Sequence, residues 1–152
     1  MTERTVPRRA DFAWFHGVTT RWMDNDVYGH VNNAHYYSFF DTAINAYLIA
    51  EGGLDIRHGP IVGYVVTSAC DYFGPVAYPV LLEVGIRVDR VGSSSVHYGV
   101  ALFATGDDRA RAAGTMVHVF VDRATSRASA IPAPVRKALE AIATGDGKPA
   151  GG

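Results

Sequence analysis

The clearest pattern in the chain is a long apolar segment with helical spacing over residues 33–51. Aromatic and aliphatic side chains recur every three to four residues there, and others cover the neighbouring faces, which is typical of a buried helix. The recurring positions are Tyr36, Phe40, Ala43 and Tyr47. Asn32 or Asn33 is suited to cap the start of this helix, and Gly52 with Gly53 is suited to end it.

After the helix the spacing of apolar residues changes from helical to alternating. Four segments are rich in β-branched and aromatic residues and are bounded by Gly, Pro or Asp, so they are predicted to be strands. They read "IVGYVVTSACDYF", "VLLEVGIRVDRVG", "SSVHYGVALFA" and "ARAAGTMVHVFVDR". The short connections "GSSS" and "TGDD" indicate hairpins and therefore antiparallel pairing.

Two further elements complete the predicted order. Residues 11–22 mix apolar and polar positions as in a first strand, and "IPAPVRKALEAI" indicates a short surface helix near the end of the chain. The order of strand, long apolar helix and four strands predicts an α+β fold, in which a curved antiparallel five-stranded sheet wraps around a long central helix. We expect one domain over residues 11–142, with flexible tails over 1–10 and 143–152.

Composition narrows the classes of function. Of the 152 residues, 48% are hydrophobic and 19% are charged, with a formal net charge of -1, so the chain is globular and lacks the basic excess that nucleic-acid binding needs. No apolar run approaches the roughly 20 residues of a membrane span, and no signal peptide is evident. The single cysteine, Cys70, excludes an intramolecular disulfide and indicates a cytoplasmic setting.

Two common kinds of catalytic site do not fit the sequence. His30 and His35 are five residues apart, so they do not share a helical face with Asp24 and Asp26 in a recognisable metal-binding pattern. No GxSxG elbow is present for a serine hydrolase, and we expect neither a metal nor another cofactor.

A third kind of site remains open. A carboxylate beside a helix N-terminus can act on a carbonyl that the free backbone N–H groups polarise, which allows acyl transfer or hydrolysis. Asp24 or Asp26 could supply the carboxylate, and Asn32 and Asn33 lie at the helix start. The same residues could instead only shape a turn and cap the helix.

The segment "TRWMDNDVYGHVNNAHYYSFFD" resembles the signature of the hotdog-fold acyl-CoA thioesterases, in the lineage typified by 4-hydroxybenzoyl-CoA thioesterase. The motif D-x-D-x-x-G-H-V-N-N-A-x-Y carries the resemblance. It continues through "DYFGPVAYPVLLEVGIRVDRVGSSSV" and "GTMVHVFVDRATSRASAIP", and thus covers about residues 19–134. The family has the same order of strands and helix.

The resemblance implies roles for individual residues. Asp26 matches the catalytic carboxylate. The backbone N–H of Asn33 matches the oxyanion donor, and Asn32 is adjacent to it. His30 belongs to the same motif. Asp24 is then expected to orient the loop. The implied substrate-binding residues are Tyr36 and Asp41 for the acyl group, and Arg90, Ser93, Ser94 and Ser95 for the nucleotide end of CoA.

The resemblance also implies partners and leaves two alternatives. Family members bind the acyl chain between the central helices of two subunits, so a homodimer or homotetramer acting on a small acyl-CoA is expected, with no nucleic acid or membrane as partner. A hotdog dehydratase or hydratase is one alternative to the thioesterase. A non-catalytic protein that binds or senses acyl-CoA is the other.

Overall fold

The computed structural model describes residues 4–144 and contains five strands and two α-helices within that range. They are, in chain order, β1 (Trp14–Thr19), α1 (Ala34–Ala50), β2 (Ile61–Tyr72), β3 (Leu81–Val91), β4 (Ser95–Ala104), β5 (Ala112–Asp122) and α2 (Ala133–Ala141). Short 3-10 turns at Arg9–Asp11 and Trp22–Asp24 flank β1.

All five strands form one antiparallel sheet in the order β1-β3-β4-β5-β2, which confirms the predicted antiparallel five-stranded sheet. β1 is shorter than the predicted residues 11–22. The chain turns at Arg21, whose backbone N–H donates to the Asp24 carboxylate at 2.8 Å, and this closed turn ends the strand. β2 lies at one edge of the sheet and β1 at the other.

The predicted helical segment, residues 33–51, forms α1 except for its first and last residue. The helix packs against β1, β3 and β4. Its start is capped by the side chain of Asn32, because Oδ1 of Asn32 accepts the N–H of Ala34 at 2.9 Å. Its end is closed by the N–H of Leu54, which donates to the Leu48 carbonyl after Gly53 adopts a φ of 64°. That the sheet curves around α1 as a central helix stays a prediction.

Residues at both predicted tail boundaries contact the sheet. Arg8 forms a β-bridge with Arg109, and the guanidinium of Arg9 lies 2.9 Å from the Glu83 carboxylate. The N–H of Thr144 donates to the Val88 carbonyl at 3.0 Å. The remainder of the predicted C-terminal tail, residues 145–152, lies outside the described residues, and the domain boundaries stay a prediction.

Within residues 4–144, no helix combines the length and the apolar character that crossing a membrane requires.

Candidate functional site

The loop between β1 and α1 forms a tight turn that presents Asp26. The N–H of Gly29 donates to the Asp26 carbonyl at 3.0 Å, and the N–H of Asp26 donates to the His30 carbonyl at 3.0 Å. Gly29 has a φ of 84°, a conformation that favours glycine. Buried Val31 holds the loop in place, since its N–H donates to the Val76 carbonyl at 2.8 Å.

Both carboxylate oxygens of Asp26 have fixed partners. Oδ1 accepts the N–H of Tyr28 at 2.9 Å, and Oδ2 lies 3.4 Å from Nδ2 of Asn32. The other side-chain atom of Asn32, Oδ1, accepts the N–H of Ala34 in the first turn of α1. One amide side chain therefore joins the half-buried carboxylate of Asp26 to the start of the helix.

Asn33 occupies the N-cap position of α1, and its side chain makes no capping hydrogen bond. Within residues 4–144 its backbone N–H has no hydrogen-bond partner, whereas the N–H of Ala34 is taken by Asn32. Asn33 is exposed. The free N–H thus lies at the positive end of the α1 dipole, where it can donate to an anionic oxygen.

Asp24 is fully buried beneath this loop and serves as its support. Its carboxylate accepts three N–H groups of Arg21, at 2.8, 2.9 and 3.1 Å, and Nε2 of His35 lies 3.9 Å from Oδ1. Burial acts to raise the pKa of Asp24, but the hydrogen bonds and charge of Arg21, with a smaller contribution from His35, lower it overall. The Asp24 carbonyl also accepts the N–H of Asn32 at 2.9 Å.

The other residues of the predicted motif are arranged around the loop in different ways. His30 is exposed, and its carbonyl closes the turn. Tyr36 is only 3% exposed and packs against Phe39 and Tyr72. Asp41 is exposed on α1, where Nδ2 of Asn45 donates to its carboxylate at 3.2 Å.

The predicted CoA-binding residues do not lie near Asp26 in a single chain. Arg90, Ser93, Ser94 and Ser95 surround the β3–β4 turn, whereas the Asp26 loop contacts the segment just before β3. The 11 residues of β3 separate the two ends by roughly 33 Å, at about 3.3 Å per residue. The turn is instead held by α2, since Nη2 of Arg136 donates to the Gly92 carbonyl at 2.6 Å.

Arg21 was not predicted to be a partner of Asp24. Opposite charges three residues apart are a usable signal in a helical turn, but residues 11–22 were predicted to be a strand, where that spacing has no such meaning. Among the described residues, no group of three or more His, Cys, Asp or Glu side chains is placed to hold a metal ion. Among the cavities formed by residues 4–144, four have volumes of about 270 to 460 Å³, and neither Asp26 nor Asn33 lines any of these four.

Solved structures share this architecture over most of the chain. The PA5185 protein from Pseudomonas aeruginosa strain PAO1 is 55% identical, with a TM-score of 0.91 over 92% of this chain and 98% of that one. PA2801, a candidate thioesterase from Pseudomonas aeruginosa, is 26% identical, with a TM-score of 0.78 over 89% of this chain and 99% of that one. Both structures share the fold of this chain over most of its length, in keeping with the hotdog-fold family that the sequence resembles.

Among curated proteins, YsmA of Bacillus subtilis (strain 168), which is uncharacterized, is 26% identical over 92 residues. That match spans 59% of this chain and 62% of the length of YsmA, less than two thirds of the relative. The model of the Thioesterase-like superfamily matches residues 18–139, which include the Asp26 loop, α1 and all four later strands. The chain therefore belongs to the Thioesterase-like superfamily.

Proposed function

We propose that this protein hydrolyses an acyl thioester, with Asp26 as general base or nucleophile and the backbone N–H of Asn33 as oxyanion donor. The observation that carries the proposal is the position of Asn32, which contacts Oδ2 of Asp26 and the N–H of Ala34 with the two ends of one amide. The carboxylate therefore lies one side chain away from the helix start. Membership of the Thioesterase-like superfamily supports the same chemistry.

The proposed reaction needs no serine and no metal. In the general-base form, Asp26 takes a proton from a water molecule whose oxygen attacks the thioester carbonyl carbon. In the nucleophilic form, the Asp26 carboxylate attacks that carbon itself, and water later hydrolyses the anhydride. In both forms the carbonyl oxygen gains negative charge, which the Asn33 N–H stabilises. The C–S bond then breaks, and the sulfur takes up a proton and leaves as the thiol.

A second copy of the chain completes the proposed site. The edge strand β2 exposes apolar side chains and a row of backbone groups, with Tyr64 49%, Val65 44% and Val66 58% exposed. Antiparallel pairing of two β2 strands about a twofold axis would join the sheets of two subunits, giving a dimer that could associate further into a tetramer. This pairing would also enclose Asp26 and Asn33, which line none of the four cavities described above.

The same dimer accounts for the distant CoA-binding residues. Ser95, the first residue of β4 after the β3–β4 turn, pairs with Val119, and Val119 pairs with Tyr64 near the start of β2. The end of β2 lies beside Asn33. Because the two β2 strands run in opposite directions, the turn of one subunit faces the Asp26 loop of the other. We therefore propose that Arg90, Ser93, Ser94 and Ser95 act on an acyl-CoA held by the partner.

The proposed acyl pocket uses α1. Asp41 is exposed on this helix and is free to face an acyl group at the subunit boundary. Tyr36 is buried in its own subunit, so its proposed contribution is to support the pocket from beneath rather than to contact the acyl chain. His30, exposed on the turn, is proposed to approach the thioester from the open side. The proposed setting is the cytoplasm, as the single cysteine indicates.

The direct test measures free thiol released from a panel of acyl-CoAs by the purified protein. The panel includes short, long and aromatic acyl groups, and each acyl group is also offered as its N-acetylcysteamine thioester. Turnover of the CoA series above the short thioesters is expected. Stoichiometric acyl-CoA binding without thiol release would identify a binding protein instead, and hydration of an enoyl-CoA without thiol release would identify a hydratase.

A further inference from the structure

We infer that Tyr72 is a positioning residue for the oxyanion donor, an inference that rests on the proposed function. Tyr72 is the last residue of β2, and its hydroxyl donates to the backbone carbonyl of Asn33 at 3.2 Å. The two residues are 39 positions apart in the chain. The contact thus ties the edge strand to the N-cap residue whose N–H is proposed to hold the oxyanion.

Asn33 needs such a partner because its own side chain does not fix it. On one side of Asn33, the preceding carbonyl of Asn32 accepts the N–H of His35 at 3.0 Å. On the other side, the Asn33 carbonyl accepts the N–H of Tyr36 only at 3.3 Å, and the Tyr72 hydroxyl supplies its second bond. Exposed helix ends fray readily, so loss of the second bond lets residue 33 rotate and turns its N–H away.

Tyr72 is itself held firmly enough to position another group. Its ring packs edge-on against buried Tyr36, with centroids 5.0 Å apart and planes at 67°. Its backbone pairs with Ala112 of β5, and its carbonyl accepts a hydrogen bond from the Arg4 guanidinium at 3.0 Å. Burial, and then the neighbouring Cys70 thiol, raise the pKa of Tyr72 to about 12, so the hydroxyl stays protonated and able to donate at physiological pH.

A positioning role has a specific kinetic signature. The Asn33 N–H stabilises the carbonyl oxygen most strongly when that oxygen becomes negative in the transition state. Misplacing the N–H therefore raises the barrier to reaction more than it weakens substrate binding. Complete loss of one oxyanion donor typically costs ~100- to 1,000-fold in turnover. Loss of its support should cost less, and we expect Tyr72→Phe to lower kcat about tenfold while KM stays within about twofold.

Tyr47 offers a matched control, because it lies near the end of α1, the helix that begins after Asn33. The hydroxyl of Tyr47 also donates to a distant backbone carbonyl, that of Ala138 in α2, at 2.6 Å. Tyr47→Phe removes a hydrogen bond of the same kind and keeps the ring, and Tyr47 lies near the end of α1, whereas the Asp26 loop precedes the start of that helix. Both variants should lower the melting temperature slightly, and only Tyr72→Phe should lower kcat.

The experiment measures kcat and KM of the wild type, Tyr72→Phe and Tyr47→Phe on the best substrate of the panel. Tyr72→Phe is also compared with Tyr47→Phe in the exchange rate of the Tyr36 backbone amide proton, whose N–H donates to the Asn33 carbonyl, by NMR, a readout independent of turnover. Faster exchange and a selective fall in kcat are expected. An unchanged kcat, an equal loss in the two variants, or an unchanged exchange rate of the Tyr36 amide would overturn the inference. Absence of thioesterase activity in the wild-type protein would overturn the proposed function. Any of the three results above with an active wild type would overturn only the positioning role of Tyr72.

Discussion

Asn32 lies with its side-chain Nδ2 3.4 Å from Oδ2 of Asp26. Because Oδ1 of the same amide accepts the first N–H of α1, the position of the carboxylate and the position of the helix start are coupled through one side chain. The backbone of Asn32 is fixed in turn by Asp24, whose carbonyl accepts the Asn32 N–H at 2.9 Å. The buried carboxylate of an ion pair, a turn and a helix start are thus linked in one short segment.

Replacing Asp26 with Asn should abolish most thioester hydrolysis. Asparagine preserves the size of the side chain and can still accept the N–H of Tyr28, so the turn is retained, but it can neither take a proton from water nor attack a carbonyl. We expect kcat to fall by at least about 100-fold, the lower end of the usual contribution of a general base. The measurement is steady-state thiol release, with circular dichroism to verify the fold.

Asp11→Asn is the control for that variant. Asp11 likewise lies in a short turn, where its exposed carboxylate accepts the N–H of Arg8 at 2.8 Å, and it lies before β1, away from the start of α1. The thioesterase activity of Asp11→Asn should match that of the wild type. Undiminished cleavage by Asp26→Asn would remove Asp26 from the proposed mechanism.

The backbone at position 33 should matter more than the side chain. Asn33 has a φ of -55°, which proline can adopt, so Asn33→Pro removes the N–H donor with a conformation suited to a helix start. We expect a fall in kcat of ~100- to 1,000-fold. Asn33→Ala keeps the N–H and, since the Asn33 side chain makes no cap bond, should retain most of the turnover.

Comparing these two variants tests the donor itself. The same thiol-release assay is used, and melting temperatures show whether the proline disturbs the helix. Equal activity in the two variants would show that the N–H of residue 33 does not hold the oxyanion.

Local patterns in the sequence are sufficient to predict most elements of the fold. The strand predicted over residues 61–73 is β2 (Ile61–Tyr72), because the enrichment in β-branched and aromatic residues is present even at an exposed edge. The first strand was predicted too long, because the apolar Trp22 extends the pattern, while the Arg21–Asp24 turn that ends the strand depends on side-chain hydrogen bonds.

Relationships between distant residues could not be predicted in the same way. Nothing near Tyr72 in the sequence indicates that its hydroxyl reaches the carbonyl of Asn33, since the contact arises only when β2 reaches the sheet edge beside α1. The choice between Asn32 and Asn33 as the side chain that caps α1 was also open. Both are good cap residues, and the turn at Asp26 decides which amide faces the helix.

The pH dependence of stability should reveal the role of Asp24. Its pKa is lowered on folding, so the folded protein binds fewer protons than the unfolded chain between the two pKa values. The stabilisation is complete above the unfolded pKa of about 3.9 and is lost as the pH falls through the lower folded pKa. Asp24→Asn should therefore lower the free energy of unfolding by about 2 kcal/mol at pH 7, and this difference should shrink in acid.

Urea unfolding of Asp24→Asn and the wild type at pH 7, 5 and 3 measures this difference. Asp108→Asn is the control, because the Arg8–Asp108 pair is exposed, with 58% of each side chain accessible, and should contribute little at any pH. A difference for Asp24→Asn that stays constant from pH 7 to 3 would contradict the linkage.

Charge on the edge strand should separate the subunits and remove activity together. Val66 is 58% exposed at the bulge in the middle of β2, where two antiparallel β2 strands would meet about a twofold axis. Val66→Lys places two like charges at that junction, and lysine on an edge strand is a common means of preventing strand pairing. We expect sedimentation to shift from a dimer or larger assembly to the monomer, with loss of thiol release. Thr115→Lys adds the same charge to an exposed position of the interior strand β5 and should preserve both properties. A Val66→Lys monomer with full activity would show that one chain holds the complete site, and the partner's part in binding acyl-CoA would have to be abandoned.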